Sequence, residues 1–223
     1  MPQRSDPDYL SGIRSRLYTA VLSDVLDELG HRDQAMAPAI RPLDDALVLA
    51  GFARTALYRE VHHIDPADNP YLLEIALIDD LATDDVAVFG CGGSTRIAPW
   101  GELLTTASRA RGAAGCVTDG FVRDIRAIRK LAFPVFHGGI APLDSKGRGV
   151  VAAIDVPIRC GGVTIAPGDL IVGDADGVVV VPRAVEARAV ARAFEKVASE
   201  DRTRDELAAG AKLADVFARH GVL

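Results

Sequence analysis

The sequence predicts a single α/β domain built on a mixed sheet. Short apolar runs alternate with helix-like stretches through the first two thirds of the chain. From about residue 149 the texture changes to β-rich runs separated by Gly, Pro and Asp turns. No linker or internal repeat divides the 223 residues, a length within the range of one large domain.

The elements follow in order. Leu17, Val21, Val25 and Leu29 recur at four-residue steps, with Leu22 and Leu26 widening the stripe, so the N-terminal part reads as helical. Thr19 is a candidate cap and Gly30 a candidate C′ residue. Residues 46–58, ALVLAGFARTALY, read as a strand bent at its glycine, and 61–70, VHHIDPADNP, as a loop. YLLEIALIDDL is a short helix and DVAVFG a buried strand. CGGSTRIAPW, 91–100, is a Gly- and Pro-rich loop. GELLTTASRARG is a helix stopped by Gly112, AGCVTD a strand, and DGFVRD a turn. DIRAIRKL starts another helix and FPVFHGG another strand. GVVAAIDVPIRC, GGVTIAP and DLIVGDADGVVVVP are β runs, and the unbroken apolar stretch 178–181 suits a fully buried strand. A long helix over 183–209 closes the pattern. Its face of Val190, Phe194 and Val197 is expected to need a partner, which a neighbouring subunit would supply.

Composition narrows the function. Hydrophobic residues are 49% of the chain, enough for a sizeable core, and a net charge of −6 argues against a nucleic-acid binder, which carries a basic patch. Cys91, Cys116 and Cys160 are odd in number and far apart, so neither a disulfide framework nor a zinc ribbon is suggested. The first ten residues carry no apolar leader, and no apolar run reaches ~18 residues, so no membrane partner is expected. The expected location is cytoplasmic.

The segment 101–124, GELLTTASRARGAAGCVTDGFVRD, carries charges at both ends of a stretch that otherwise reads as core. Taken alone, Glu102 at a helix start and Arg109 and Arg111 near its end complement the helix dipole, and an Arg-Asp pair after a strand is a solvated turn. Two features point further. A loop with Gly92, Gly93, Pro99 and Gly101 feeds into free backbone N–H groups near Leu103 and Leu104, a natural carboxylate or phosphate site. The strand AGCVTD then delivers Asp119, Arg123 and Asp124 at its carboxyl end, where open α/β sheets bind ligands. Carboxylates supply hard oxygen ligands for a divalent cation, and an arginine clamps a small keto acid.

These residues also resemble those of the RraA-like family, which includes the 4-hydroxy-4-methyl-2-oxoglutarate and 4-carboxy-4-hydroxy-2-oxoadipate aldolases. The resemblance covers most of the chain. It includes YTAVLSDVLDELG, FPVF, GGVTIAPGDLIVGDADGVVVVP, and an acid, twenty residues, then Arg-Asp: Glu102, 103–122, Arg123 and Asp124. It implies an α-β-β-α sandwich of the swivelling type, assembled as homotrimers or hexamers. It also implies Mg²⁺ or Mn²⁺ held directly by Asp124, with Glu102 on metal-bound waters. The amides of Leu103 and Leu104, beside Gly101, and the guanidinium of Arg123 would hold the pyruvyl group. The family's water-holding glutamate from a neighbouring subunit would be Glu200.

The implied reaction is retro-aldol cleavage of a 4-hydroxy-2-oxo acid to release pyruvate, with oxaloacetate decarboxylation through the same enolate. Such an enolate is stored either on a lysine Schiff base or through a metal. The only lysines, Lys130, Lys146, Lys196 and Lys212, lie in charged or turn-like contexts, which favours the metal. The rivals are a non-catalytic RraA-like regulator of an RNA-processing enzyme, an aldolase of the same fold for a sugar-acid-derived keto acid, and a methyltransferase. No GxGxxG follows a strand to favour the last.

Other residues are weighed beside these. His62, His63 and Asp65 sit in a loop without helical ligand spacing and suit a specificity role better than metal binding. His137 suits a buried or rim position. Asp119 is expected near the site as an orienting acid that contributes to substrate binding. Asp174 and Asp176 are expected turn formers, and Cys116 carries no chemistry.

Overall fold

The computed structural model describes residue 4 and residues 6–65 and 67–221. The outer ends of the expected 1–223 domain, and position 66 of the expected loop, lie outside these.

Two helices come first, α1 (Tyr9–Arg16) and α2 (Thr19–Glu28). Gly30 ends α2 as expected. At φ +86° it donates its N–H to Asp27 O at 3.0 Å, while His31 N–H reaches Leu26 O at 2.8 Å. Thr19 is not the cap. It is itself helical, and the Asp174 carboxylate accepts from its backbone N at 2.8 Å and its Oγ1 at 2.7 Å. Asp174 is therefore more than a turn former: it satisfies an orphan donor at the start of α2.

The chain continues through β1 (Arg41–Pro42), β2 (Leu49–Glu60), α3 (Leu72–Asp79), β3 (Asp85–Gly90), α4 (Glu102–Ala110), β4 (Gly115–Val122), α5 (Ile125–Leu131) and β5 (Val135–Ile140). Strands β2, β3, β4 and β5 are parallel neighbours, with α3, α4 and α5 as their crossovers. Then come β6 (Gly149–Ile154), β7 (Ile158–Cys160), β8 (Val163–Ile165), β9 (Leu170–Asp174), β10 (Gly177–Val181), α6 (Glu186–Ala208) and α7 (Leu213–His220). The sheet order is β1-β5-β4-β3-β2-β9-β10, with β6 also on β2.

Strand β2 joins two halves. Its start pairs antiparallel with β9 and its end with β6, while its other edge pairs with β3. The sheet curls until its ends nearly meet, where Arg41 Nη1 donates to Asp176 O at 2.8 Å. Val86, Val117, Phe136, Ile171 and Val180 fill the space between the halves, closed by Ile158 and Ile165 of the β7–β8 hairpin. Phe89, Cys116 and Val135 face outward onto a layer containing Leu77, Trp100 and Ile128, and Leu170, Val172 and Val181 face outward onto α1, α2 and α6. This is the expected α-β-β-α layering.

Four further expectations change. Gly51 is not a bend: a Cβ there would lie 2.4 Å from Asp84 O, and the register irregularity falls between Leu57 and Tyr58. DGFVRD is not a turn. β4 runs on to Val122, with a register shift against β5 between Thr118 and Phe121. The run GVVAAIDVPIRC is two strands, broken at Asp155 with φ +52°. The apolar face of the C-terminal helix needs no partner subunit for cover. Val190, Ala193 and Val197 are buried on the protein's own α1 and α2 side, with Phe194 packed beside them.

Candidate active site

The loop after β3 folds back along the end of β4. Phe121 N–H bonds Ile97 O at 2.9 Å, Arg123 N–H bonds Trp100 O at 3.0 Å, and Trp100 pairs with Val122 as a parallel bridge. This sets the N-terminus of α4 against the residues that leave β4. Trp100 is fully buried, and its Nε1–H donates to Thr105 Oγ1 at 2.8 Å, which donates to Gly101 O at 2.9 Å. The first turn of α4 is thereby fixed from below.

A side chain at 101 would crowd the residues that leave β4. A Cβ there would lie 2.7 Å from Asp124 Oδ2 and 3.2 Å from Arg123 Cγ. Asp124 takes a left-handed conformation, φ 59°, as N-cap of α5. Such backbone is uncommon outside glycine and tolerated best by Asp and Asn. Its Oδ2 accepts the Glu102 N–H at 3.2 Å and lies 3.7 Å from Arg123 Nε. The next two amides, of Leu103 and Leu104, have no acceptor among the described residues.

These groups meet at a cavity of about 280 Å³ lined by Gly101, Leu103, Leu104, Arg123 and Asp124. A second cavity of about 720 Å³ adjoins on the other side of Arg123 and Asp124, with Arg126, Lys130 and Ile140 in its wall. Arg123 donates from Nη1 to Leu143 O at 3.3 Å and lies 3.8 Å from Asp144 Oδ2. Asp144 accepts the Tyr71 hydroxyl at 2.9 Å. Burial works to raise the Asp144 carboxyl, but hydrogen bonds from Lys146 N–H and Tyr71 and the charge of Arg123 hold it below the usual range. Tyr71 is correspondingly pushed up to about 12, by burial first and then by Asp144.

Sequence reasoning missed Glu74, Tyr71 and Asp144, all in the cavity wall. Glu74 is 5% exposed and accepts the Tyr58 hydroxyl at 2.7 Å. Burial pushes its carboxyl up to about 7, against the Tyr58 hydrogen bond. The charge of Asp144 adds to the rise and that of Arg123 opposes it.

The expected site residues divide. Arg123, Asp124, Gly101, Leu103 and Leu104 come together. Glu102 adjoins them through its backbone, while its side chain accepts Thr106 Oγ1 at 2.7 Å. Asp119 stands apart from the cavity. Its carboxylate accepts the amides of Cys91 at 2.5 Å, Gly93 at 3.1 Å and Gly161 at 3.3 Å, so it braces the loop after β3 instead of facing a ligand. Glu200 lines a different cavity, beside Tyr18, whose hydroxyl it accepts. His62 contacts Arg96 and His63 faces another depression, so neither reaches the cavity. His137 is buried. None of the four lysines is buried: Lys130, Lys146 and Lys212 are exposed, and Lys196 pairs with Asp24. No helix among the described residues is long and apolar enough to cross a membrane.

A divalent ion fits this donor set in one way. No group of three or more His, Cys, Asp or Glu among the described residues gathers as a ligand cluster. Asp124 is half exposed, and only its Oδ2 is engaged within the protein. One carboxylate oxygen at an open rim suits a hard cation that keeps most of its waters, as Mg²⁺ does.

An uncapped helix end, an arginine and a left-handed aspartate thus meet at the carboxyl ends of parallel strands, the edge at which open α/β sheets generally place ligands. The family model described as RraA-like, Aldolase/RraA, matches residues 19–180, and the chain belongs to that family. A protein of Halalkalibacterium halodurans named "Putative 4-hydroxy-4-methyl-2-oxoglutarate aldolase" is 35% identical over 89% of this chain and 88% of its own length. An uncharacterized protein from Pseudomonas syringae superposes with a TM-score of 0.80 at 31% identity, covering 93% of this chain and 95% of its own. Streptomyces coelicolor RraAS2, described as an unusual member of the RNase ES inhibitor RraA protein family, superposes with a TM-score of 0.78 at 30% identity over 92% and 99%.

Proposed function

We propose that this protein is a divalent-metal-dependent aldolase that cleaves 4-hydroxy-2-oxo acids to release pyruvate, and decarboxylates oxaloacetate through the same enolate. The observation that carries this is the meeting of Arg123, Asp124 and the two unpaired amides of α4 at one cavity that no lysine lines. The aldolase name of the Halalkalibacterium relative supports it.

The amides of Leu103 and Leu104 bind the substrate carboxylate at the positive end of α4. Arg123 binds the 2-oxo oxygen and stabilises the charge that gathers there as the C3–C4 bond breaks, the kind of preorganised contact worth ~3 kcal/mol. Trp100 and Leu104 keep bulk water from the enolate. Asp124 would hold Mg²⁺ or Mn²⁺, with Glu102 orienting its waters, and a metal held there would supply Lewis-acid charge for the enolate. Glu200 of a neighbouring subunit in a trimer or hexamer would complete that water shell. It lines a different cavity of its own subunit, so a contribution to the site would have to come across an interface.

The test is pyruvate release from a panel of 4-hydroxy-2-oxo acids and oxaloacetate, in EDTA and after Mg²⁺ addition. Metal-restored pyruvate release is expected. No release from any member would favour the regulator reading, which the likeness to RraAS2 keeps in view. Binding to an RNA-processing enzyme would then be measured directly.

A further inference from the structure

Glu74 is a carboxyl group without a structural explanation. It sits on α3, on the side that buries Leu77, Ile78 and Leu81. An apolar residue would fill that place at less cost, because a buried carboxyl needs partners. It has one: the Tyr58 hydroxyl donates to its Oε2. Its Oε1 has no partner among the described residues, yet it is not sealed in, since Glu74 forms part of the wall of the cavity that holds Arg123 and the α4 amides.

We propose that Glu74 is the proton donor to C3 of the pyruvate enolate. This rests on the enolate reading above. In retro-aldol cleavage the 4-hydroxyl proton passes to solvent, the C4=O bond forms, and the electron pair of the broken C3–C4 bond remains as the enolate. In decarboxylation the pair comes from the bond to the departing CO₂. In both, the enolate pair then forms a C3–H bond with the Glu74 carboxyl proton. Pyruvate and the Glu74 carboxylate result, and solvent water returns the proton to Glu74.

The neighbours leave this role to Glu74. The charged and titratable groups facing it are Tyr58 from β2, Tyr71 before α3, Cys91 after β3, Arg123 after β4, and Asp144. Asp144 is held below the ordinary carboxylate range and carries no proton at neutral pH. Tyr71 and Cys91 are held above theirs, chiefly by burial, and Arg123 keeps its charge. A carboxyl balanced near 7 can both give and regain a proton at working pH.

The experiment isolates that step. Pyruvate alone is incubated with the protein and Mg²⁺ in D₂O, and loss of its methyl proton signal is followed by NMR. The parent protein should exchange the methyl protons, and Glu74→Gln should slow exchange by at least ~100-fold. Tyr58→Phe keeps the carboxyl but removes the bond that favours its ionised form, so the midpoint of the exchange pH profile should rise. In metal-free protein, a ¹³C-labelled glutamate carboxyl should titrate near neutrality and vanish in Glu74→Gln. Exchange by Glu74→Gln at the parental rate overturns the proposal, as does a Glu74 carboxyl that titrates near 4. If the parent releases pyruvate from its substrates while Glu74→Gln still exchanges, only the role of Glu74 falls. If the parent neither releases pyruvate nor exchanges it, the aldolase reading falls and this proposal falls with it. Should Glu74→Gln not fold, the Tyr58→Phe profile and the parental titration decide: an unmoved midpoint overturns the proposal.

Discussion

Gly101→Ala separates the geometry of the site from the stability of the fold. Gly101 has φ −150° and ψ −169°, an extended conformation open to alanine. The backbone therefore gains no strain, and the unfolded chain loses some freedom, which stabilises by roughly 0.4–1 kcal/mol. Against this stands one clash. The added methyl would lie 2.7 Å from Asp124 Oδ2, about 0.7 Å inside the ordinary contact distance of 3.4 Å. The Asp124 side chain is 49% exposed and can swing outward, so the clash is relieved there at little cost to the fold. That swing breaks the 3.2 Å bond from Glu102 N–H and moves the carboxylate relative to Arg123. A displacement approaching 1 Å at a reacting centre costs about 100-fold in rate. The expected outcome is a Tm within a few degrees of the parent and a fall of about 100-fold in pyruvate release, measured by coupling to NADH oxidation. A Gly101→Ala protein that folds and keeps more than half the parental rate would refute the placement of Asp124 and Arg123 at the reaction.

Other outcomes follow from the same geometry. Arg123→Lys should lose ~100-fold in rate, because a point ammonium cannot span the planar contacts of the guanidinium; near-normal turnover of every active substrate would remove it from the reaction. EDTA should abolish turnover, Mg²⁺ should restore it, and Asp124→Asn, which tolerates the left-handed backbone, should bind Mg²⁺ poorly with an unchanged circular dichroism spectrum; full activity in EDTA or a borohydride-trapped substrate adduct would point to a Schiff base instead. Mixed oligomers of Glu200→Ala and Asp124→Asn should regain activity that neither has alone, and verified subunit exchange without rescue would confine Glu200 to its own subunit. The Glu74 pKa is raised from 4.5 to about 7, so the folded state binds its proton more tightly and stability falls as pH rises through that window. Glu74→Gln should therefore gain stability over the parent from about pH 5 to 7, by on the order of 3 kcal/mol at most, in urea melts. A difference that stays flat with pH would place the carboxyl in solvent.

Much of the fold was legible in the chain because local pattern and burial agree. The stripe Val21, Leu22, Val25, Leu26 is buried as its period requires, Gly30 and Gly112 stop their helices with φ +86° and +80°, and 178–181 is a core strand. Arg123, Asp124 and the start of α4 were legible for a similar reason: a parallel crossover puts the end of one strand and the start of the preceding helix on the same edge. Tertiary structure decided what depends on distant partners. Asp119 was expected near the site as an orienting acid, but the loop after β3 returns to claim its carboxylate. Val190 and Val197 looked in need of a neighbour until α1 and α2 covered them. Glu74 left one local sign, an acid on the stripe with Leu77, Ile78 and Leu81. Whether that acid was a misplaced surface charge or a cavity group depended on Tyr58 from β2 and on Arg123 and Asp144 across the space. A periodic pattern records which side of an element is buried; only the packed fold determines what lies across from it, and so which buried charge can hold a proton.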